Sequence, residues 1–232
     1  TPKEFQVNLE LCKTPFRADW DAISMGYSAF DSLPPDFASF LVAHVAEKVA
    51  TKIENNIWQG ADGTEGEFDG LVALATADAT VVDVVGTTVT AANVIDELGK
   101  VVDAIPAALY GSADLKIYVA QNVYKSYVRS LGGFASNVGS NGVNGQGTNQ
   151  SLGDVMFDGV PVFVANGLAN NYIVAAESSN LFFATGLLSD ENEVKVLDMQ
   201  DLDGSQNVRV ILRFTATVNY AYGSEVVLYT PA

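Results

Sequence analysis

Apolar residues recur every four positions through Phe37, Leu41, Val45, Val49, Ile53 and Ile57, and Phe40, Val42, Ala46 and Ala50 widen that stripe. The period is helical and is sustained for about six turns. Pro35 near the first helical position and Asp36 in the first turn mark a start, and Gly60 marks a left-handed stop. A helix over 36–59 is about 35 Å long at 1.5 Å per residue. A strict four-residue repeat drifts around the cylinder by about 40° per step, so different parts of the helix need different partners. Such a helix is either a buried core helix of an α+β domain or a spine joining two lobes.

A second pattern has period two. Phe5, Val7, Leu9 and Leu11 alternate with Gln6, Asn8, Glu10 and Cys12, which predicts a half-buried strand whose partner lies far away in sequence. The longest alternation runs from Asn207 to Tyr220, with Val208, Val210, Leu212, Phe214, Ala216, Val218 and Tyr220 on one face and Arg209, Arg213, Thr215, Thr217 and Asn219 on the other. Thirteen such residues span about 43 Å. Residues 17–33 predict a turn or short helix. Thr80–Val85 and Thr87–Thr90 predict a strand pair around Gly86. Residues 91–110 predict a helix capped by Thr90 and ended or kinked by Pro106. Leu115–Ala120 is a buried strand, and a helix over Val123–Leu131 turns Tyr124, Tyr127 and Val128 inward. Val155–Phe157 and Val160–Val164 form a hairpin across Asp158-Gly159. Short strands are expected at 172–176, 181–183, 193–197 and 226–229. Strands feeding helices in this way give an α+β or α/β core.

Composition narrows the function classes. The 232 residues are 48% hydrophobic, enough for one large domain or two lobes. Twenty-eight acids against 12 bases leave a net charge of −16, so a basic nucleic-acid-reading face is hard to build. Cys12 and His44 are each the only residue of their kind, which removes an intrachain disulfide, thiolate metal sites and the usual nucleophile–histidine pairings. No apolar run approaches the roughly 20 residues of a membrane helix, so no membrane partner is expected. The opening residues carry no secretory signal, and Thr1 in place of Met reads as a processed or trimmed start.

Three stretches carry candidate chemistry. Gly60 to Leu71 packs glycines among Asp62, Glu65, Glu67 and Asp69, but lacks the alternate acids and closing Glu of a helix-flanked calcium loop, so it reads as a glycine-punctuated loop. Asp198–Gly204 hints at calcium in the same way and reads better as a charged hairpin turn. Gly132 to Asp154 is low in complexity, yet it ends in neither Gly-Lys-Ser/Thr nor a dinucleotide fingerprint. An exposed mobile loop that touches another subunit or surface is expected. The carboxylate pairs Asp62/Glu67 and Asp201/Asp203 would suit a hydrolase, but they sit in turns without an apolar pocket to raise one pKa. No catalytic residue, metal site or cofactor is therefore assigned.

The order of these parts carries a resemblance. The long helix ends in Trp58-Gln59-Gly60-Ala61-Asp62-Gly63, with Asp69-Gly70-Leu71 close behind. Then come Lys116-Ile-Tyr-Val-Ala-Gln-Asn122, the glycine-rich loop, Phe157-Asp-Gly-Val-Pro-Val162, and the long strand ending in Asn219-Tyr-Ala-Tyr222. Over nearly its whole length the chain resembles the major capsid proteins of tailed bacteriophages, of the Hong Kong 97 type. In that family the spine helix ends in a Gly-Asp-Gly loop, and a Gly-Leu-Pro-Val-like hairpin precedes the last strands.

The resemblance implies an α+β, Hong Kong 97-like fold. Residues 1–85 plus 193–219 would form a peripheral domain with the spine helix and long strands. Residues 86–192 plus 220–232 would form an axial domain carrying the glycine-rich loop 132–154. It implies a structural protein, not an enzyme, that self-assembles into pentamers and hexamers of an icosahedral shell. That shell encloses DNA without sequence-specific binding, within a virion assembled in the host cytoplasm. Implied partners are further copies of the chain, a scaffolding protein and a maturation protease. The family's N-terminal arm and extended loop would precede Thr1, so no crosslinking residue is carried over. Candidate subunit-contact loops are those of Gly60, Asp62, Gly63 and Gly70, of Gly132, Gly133 and Asn144, and of Asp158 and Gly159. An encapsulin-like nanocompartment shell shares these features. A β-rich tail or receptor-binding module would require 36–59 to be non-helical.

Overall fold

The computed structural model describes residues 2–12, 35–131, 155–186 and 193–231. The expected elements at 17–33 and the glycine-rich loop at 132–154, with Gly132, Gly133 and Asn144, lie outside the described residues. The elements are β1 (Lys3–Cys12), α1 (Pro35–Gln59), α2 (Leu71–Ala77), β2 (Val82–Gly86), α3 (Val94–Asp103), β3 (Leu115–Val119) and α4 (Gln121–Ser130). They continue with β4 (Met156–Phe157), β5 (Val160–Val164), β6 (Ile173–Glu177), β7 (Leu181–Ala184), β8 (Glu193–Asp198), α5 (Gln200–Asp203), β9 (Asn207–Tyr220) and β10 (Val227–Pro231). The fold is mixed α+β with two sheets.

Two compact units divide the chain. One holds residues 1–53 and 184–217, the other 54–183 and 218–232. Residues 54–85, expected with the first lobe, cluster with the second unit, and 184–186 cluster with the first.

In the first unit the long alternating strand finds the distant partner that its pattern calls for. β9 pairs antiparallel with β1 from Lys3↔Ala216 to Cys12↔Asn207, and with β8 from Glu193↔Arg213 to Asp198↔Val208. Val208 and Val210 are fully buried. Phe5 and Phe214 are register partners and their rings stack at 5.4 Å. On the opposite face Glu10 faces Arg209, with a 2.8 Å ion pair between carboxylate and guanidinium. Both partners are substantially exposed, so the pair fixes register more than it adds stability. The β8–β9 connection contains the one-turn helix α5, closed by Gly204 in the left-handed region (φ 73°).

α1 forms as its four-residue period predicts. Val45 is buried and Val49, Ile53 and Ile57 are half-buried, whereas Ala46 and Ala50 are exposed and do not widen the buried stripe.

The second unit is built on a six-stranded sheet of order β2-β10-β6-β3-β5-β4. β10 is parallel to β2 and antiparallel to β6, while β3 is antiparallel to β6 and parallel to β5. α3 packs against β2, β6, β10 and α4. Val94, Leu98, Val101, Ile117, Val119, Val123, Ile173 and Leu228 are fully buried and form the core. At about 1.5–3 kcal/mol for each fully buried side chain, this cluster dominates the unit's stability. On the alternate positions of β3, Tyr118 packs against Trp58 at 5.3 Å, which anchors the C-terminal turn of α1.

One expected element is absent. Thr87–Thr90 forms no strand, because its backbone groups are taken by side chains. Tyr229 donates to the Thr87 carbonyl at 2.7 Å, Asn93 Nδ2 donates to the Thr88 carbonyl at 3.1 Å, and the Val89 N–H donates to Asn171 Oδ1 at 3.1 Å. β2 therefore pairs with β10 instead of with its sequence neighbour. The following helix is also shorter than expected, starting after Asn93. Thr90 does not cap it, because its N–H and hydroxyl both donate to Asn93 Oδ1, at 2.7 and 2.9 Å. β6 and β7, consecutive short strands, enter different sheets.

Candidate functional site

The loop that follows α1 is tied shut at its neck. The Gly60 N–H caps α1 by donating to the Asn56 carbonyl at 3.0 Å, and the Gly70 N–H donates to the Gly60 carbonyl at 2.9 Å. A Cβ on Gly60 would collide with the Phe68 carbonyl oxygen and lie 2.7 Å from that of Asn56. One on Gly70 would lie 2.6 Å from the Asn56 carbonyl oxygen. Both positions demand glycine because backbone meets backbone there. Asn56, itself buried, donates from Nδ2 to the Gly66 carbonyl at 3.1 Å, and Phe68 fills the space beneath.

The acids of this loop are structural. Glu67 Oε2 accepts from the Ala61 N–H at 3.2 Å, and Asp69 Oδ1 accepts from the Asp62 N–H at 2.8 Å. These side chains staple the loop and leave Ala61–Gly66 exposed as a fixed projection. Of the pair considered for hydrolysis, Asp62 is exposed and Glu67 is half-buried and engaged with backbone. Asp201 and Asp203 fall in α5. Among the described residues no group of three or more His, Cys, Asp or Glu side chains converges to hold a metal ion. No helix among them is long and apolar enough to cross a membrane.

Asp158 and Gly159 form the two-residue turn of the β4–β5 hairpin, with φ of 47° and 81°. Two positive values are what an Asp-Gly type I′ turn supplies. Tyr110 donates to the Asp158 carbonyl at 2.8 Å, and the turn borders a groove of about 300 Å³ shared with Tyr110, Met156 and Pro161. Tyr110 and Met156 are exposed. The structure thus places the candidate residues that lie among the described ones in two separate features, the 60–70 loop and the 158–159 turn.

Two polar networks escaped the sequence reading. Glu97 is only 4% exposed, yet it accepts from Thr87 Oγ1 at 2.8 Å, from Lys100 Nζ at 2.8 Å and from the Tyr229 hydroxyl at 2.9 Å. Burial pushes its pKa up, but these three donors outweigh burial and hold it below the ordinary carboxylate value. Burial, then the Glu97 carboxylate, push Tyr229 upward. A signal existed: Glu97 falls on the apolar stripe, three residues after Val94 and four before Val101. In the second network Asp78 accepts from the Thr80 N–H at 2.9 Å, the Thr80 hydroxyl at 2.8 Å and the Tyr220 hydroxyl at 2.9 Å. Burial and the Asp78 hydrogen bond push Tyr220 up to about 12. Neither network opens onto a nucleophile or a second base, so each reads as structural wiring of the second unit.

The fold as a whole recurs in solved capsid structures. The capsid of a native GTA particle matches 100% of this chain and 73% of its own, with a TM-score of 0.64 and 11% identity. The satellite phage P4 procapsid matches 98% and 75%, with a TM-score of 0.61 and 10% identity. The chain has the Hong Kong 97-type capsid fold. This fold is not confined to phages: the SrpI encapsulin of Synechococcus elongatus matches 98% of the chain and 73% of its own, with a TM-score of 0.61 and 11% identity. No protein-family model and no curated protein matches the sequence. At 10–11% identity, the likeness lies in the architecture and not in the sequence.

Proposed function

We propose that the chain is the major capsid protein of a tailed bacteriophage, assembling with copies of itself into the pentamers and hexamers of an icosahedral shell that encloses DNA. The observation that supports this is the likeness in fold of nearly the whole chain to capsid subunits, at TM-scores of 0.61 and 0.64. On this reading the unit of residues 1–53 and 184–217 corresponds to the peripheral domain, and that of 54–183 and 218–232 to the axial domain. The fixed 60–70 loop and the 158–159 turn are contacts between copies. The net charge of −16 suits a wall that must not grip the DNA it holds. The protein acts within the virion, after assembly in the host cytoplasm with a scaffolding protein and a maturation protease.

The mechanism is geometric. Identical subunits meet through unlike surfaces, and the rotation closes into rings of five and six. Light scattering and negative-stain microscopy of the purified gene product should reveal closed shells or such rings, and a monodisperse monomer would defeat the proposal. The encapsulin likeness supports a second reading, a nanocompartment shell. Nuclease-protected DNA inside particles isolated from their natural source favours the virus, and packaged cargo protein favours the compartment.

A further inference from the structure

The basic residues of the second unit are Lys100, Lys116, Lys125 and Arg129, set among many more carboxylates. Two of them are used internally. Lys100 binds Glu97 at 2.8 Å, and Lys116 donates to Ser178 Oγ at 3.0 Å and lies over the Phe163 ring. Lys125 and Arg129 are exposed, one turn apart on α4, and make no ion pair among the described residues. Residues four apart on a helix are surface neighbours, with Cβ atoms about 6 Å apart. The two cations flank a groove of about 310 Å³ lined also by Tyr124, Val128 and Val164. One carboxylate placed between them would meet both, against apolar walls that reduce screening by water.

The 60–70 loop has the opposite need. Asp62, Glu65, Glu67 and Asp69 stand in it without a single base. Glu67 and Asp69 are held against the backbone of Ala61 and Asp62, and the Gly66 carbonyl accepts from Asn56. Glu65, between Thr64 and Gly66 at the tip, is exposed, and its carboxylate has no hydrogen-bond or ion-pair partner among the described residues. The loop is fixed at its Gly60–Gly70 neck, so burying its tip costs little ordering entropy. Gly63 and Gly66 beside Glu65 carry no side chain, which keeps the tip slim enough to enter a groove.

Sheet register puts the two features on opposite faces. Ala175 pairs with Val227 and with Ile117, and Ile117 pairs with Val162. Residues in register share a face, as do positions two apart along a strand. Val164 and Tyr229 therefore lie on one face, the one covered by α3, whose Glu97 meets the Tyr229 hydroxyl. The α4 groove, lined by Val164, opens on that face. Tyr118, one residue past Ile117, points to the other face, where it packs against Trp58 and Phe163. The 60–70 loop leaves α1 just after Trp58 and closes on itself where Gly70 bonds to Gly60. The six-stranded sheet thus stands between the loop and the groove of one copy. A tip that cannot reach its own groove is open to a neighbour's.

We propose that the α4 groove of one copy receives the 60–70 loop of a second copy, with the Glu65 carboxylate between Lys125 and Arg129. The pairing rests on the shell function proposed above and names the surface that receives this loop. Unlike surfaces meet, so the contact is head to tail, the kind from which rings are built. Its opposite charges decide which ends recognise each other.

The test is a charge swap in the full gene product, with capsomer formation followed against concentration by light scattering and native mass spectrometry. Lys125→Glu with Arg129→Glu, and separately Glu65→Lys, should each raise the half-assembly concentration about tenfold while leaving the thermal melt of the monomer unchanged. The three substitutions in one chain restore opposite charges at every contact and should bring assembly back to within about threefold of wild type. A second measurement reads the contact directly. In a Cys12→Ser background, Glu65→Cys with Arg129→Cys should give, on oxidation, a disulfide-linked ladder of subunits that ends at the ring size, whereas either cysteine alone should give at most a dimer. Charge variants that assemble like wild type, a triple variant no better than its parents, or a double-cysteine variant that assembles without the ladder would overturn the pairing while leaving the shell function standing. A wild-type protein that forms no rings or shells would overturn both.

Discussion

The hydroxyl of Tyr229 lies 2.9 Å from Glu97 Oε2 and 2.7 Å from the Thr87 carbonyl, so one proton serves two acceptors in a buried site. A strand, a helix and a connecting segment are joined at that point. Tyr229→Phe removes the donor to the Thr87 carbonyl and one of three donors to Glu97, and should cost about 1–3 kcal/mol of unfolding free energy. Gly86→Ala should cost at least as much, because its Cβ would overlap the Tyr229 ring and hydroxyl. Denaturant titration of each variant checks both.

The loop glycines separate by what surrounds them. Gly60→Ala and Gly70→Ala force backbone apart and should each destabilise by about 2 kcal/mol or more. Gly63→Ala meets nothing within 4 Å and should stay within about 0.5 kcal/mol of wild type. Thermal melts of the three variants would show the contrast, and an equal effect at all three would contradict the tied-neck geometry.

Stability should fall at both ends of the pH scale for identifiable reasons. The Ser178 hydroxyl and the Ser179 N–H hold the Asp114 carboxyl down to about 2, from an ordinary value of 3.8. Between those values the unfolded chain binds the proton and the folded one does not. The contribution of Asp114 is therefore complete above about pH 4 and drains away as pH falls toward 2. Tyr220 is the mirror case. Its folded value of about 12 lies above the ordinary 10, so its contribution is complete below pH 10 and lost as pH rises through 12. Asp114→Asn should flatten the acid limb of the stability curve and leave the alkaline limb unchanged, whereas Tyr220→Phe should flatten the alkaline limb and, by removing a donor from Asp78, part of the acid limb as well.

Tyr110→Phe should loosen the β4–β5 turn by removing the 2.8 Å bond to the Asp158 carbonyl, at a cost of about 0.5–1.5 kcal/mol. Gly159→Ala should cost about 1 kcal/mol, because φ at that position is 81°. Amide hydrogen exchange across Met156–Val162 would report both changes as faster local opening.

Local periodicity made much of this legible. The four-residue repeat placed α1 within one residue at its start, and strict alternation placed β9 to the residue, because those elements answer to burial along their own length. The Asp158-Gly159 turn was legible because the dipeptide carries its backbone geometry with it. Thr87–Thr90 misled because its β-branched residues favour a strand, while Tyr229 and Asn171, distant in sequence, take the backbone groups that a ladder needs. Thr90 looked like a cap until Asn93 turned its hydroxyl into a donor. The tied neck of the 60–70 loop was half legible: the glycines stood out, but their mutual contact depends on how α1 ends.

β10 lies between β2 and β6, so β2, far earlier in the chain, depends on residues 227–231 for its pairing, and β6 depends on them for one of its two neighbours. During synthesis β2 emerges roughly 140 residues before its partner, and at about 5–20 residues per second it waits many seconds with that edge open. The sheet cannot close until residues 227–231 have been made. Translation itself thereby delays completion of the fold: under the shell function proposed above, a nascent subunit gains its finished second unit, and with it the ability to join a neighbour, only once β10 is in place.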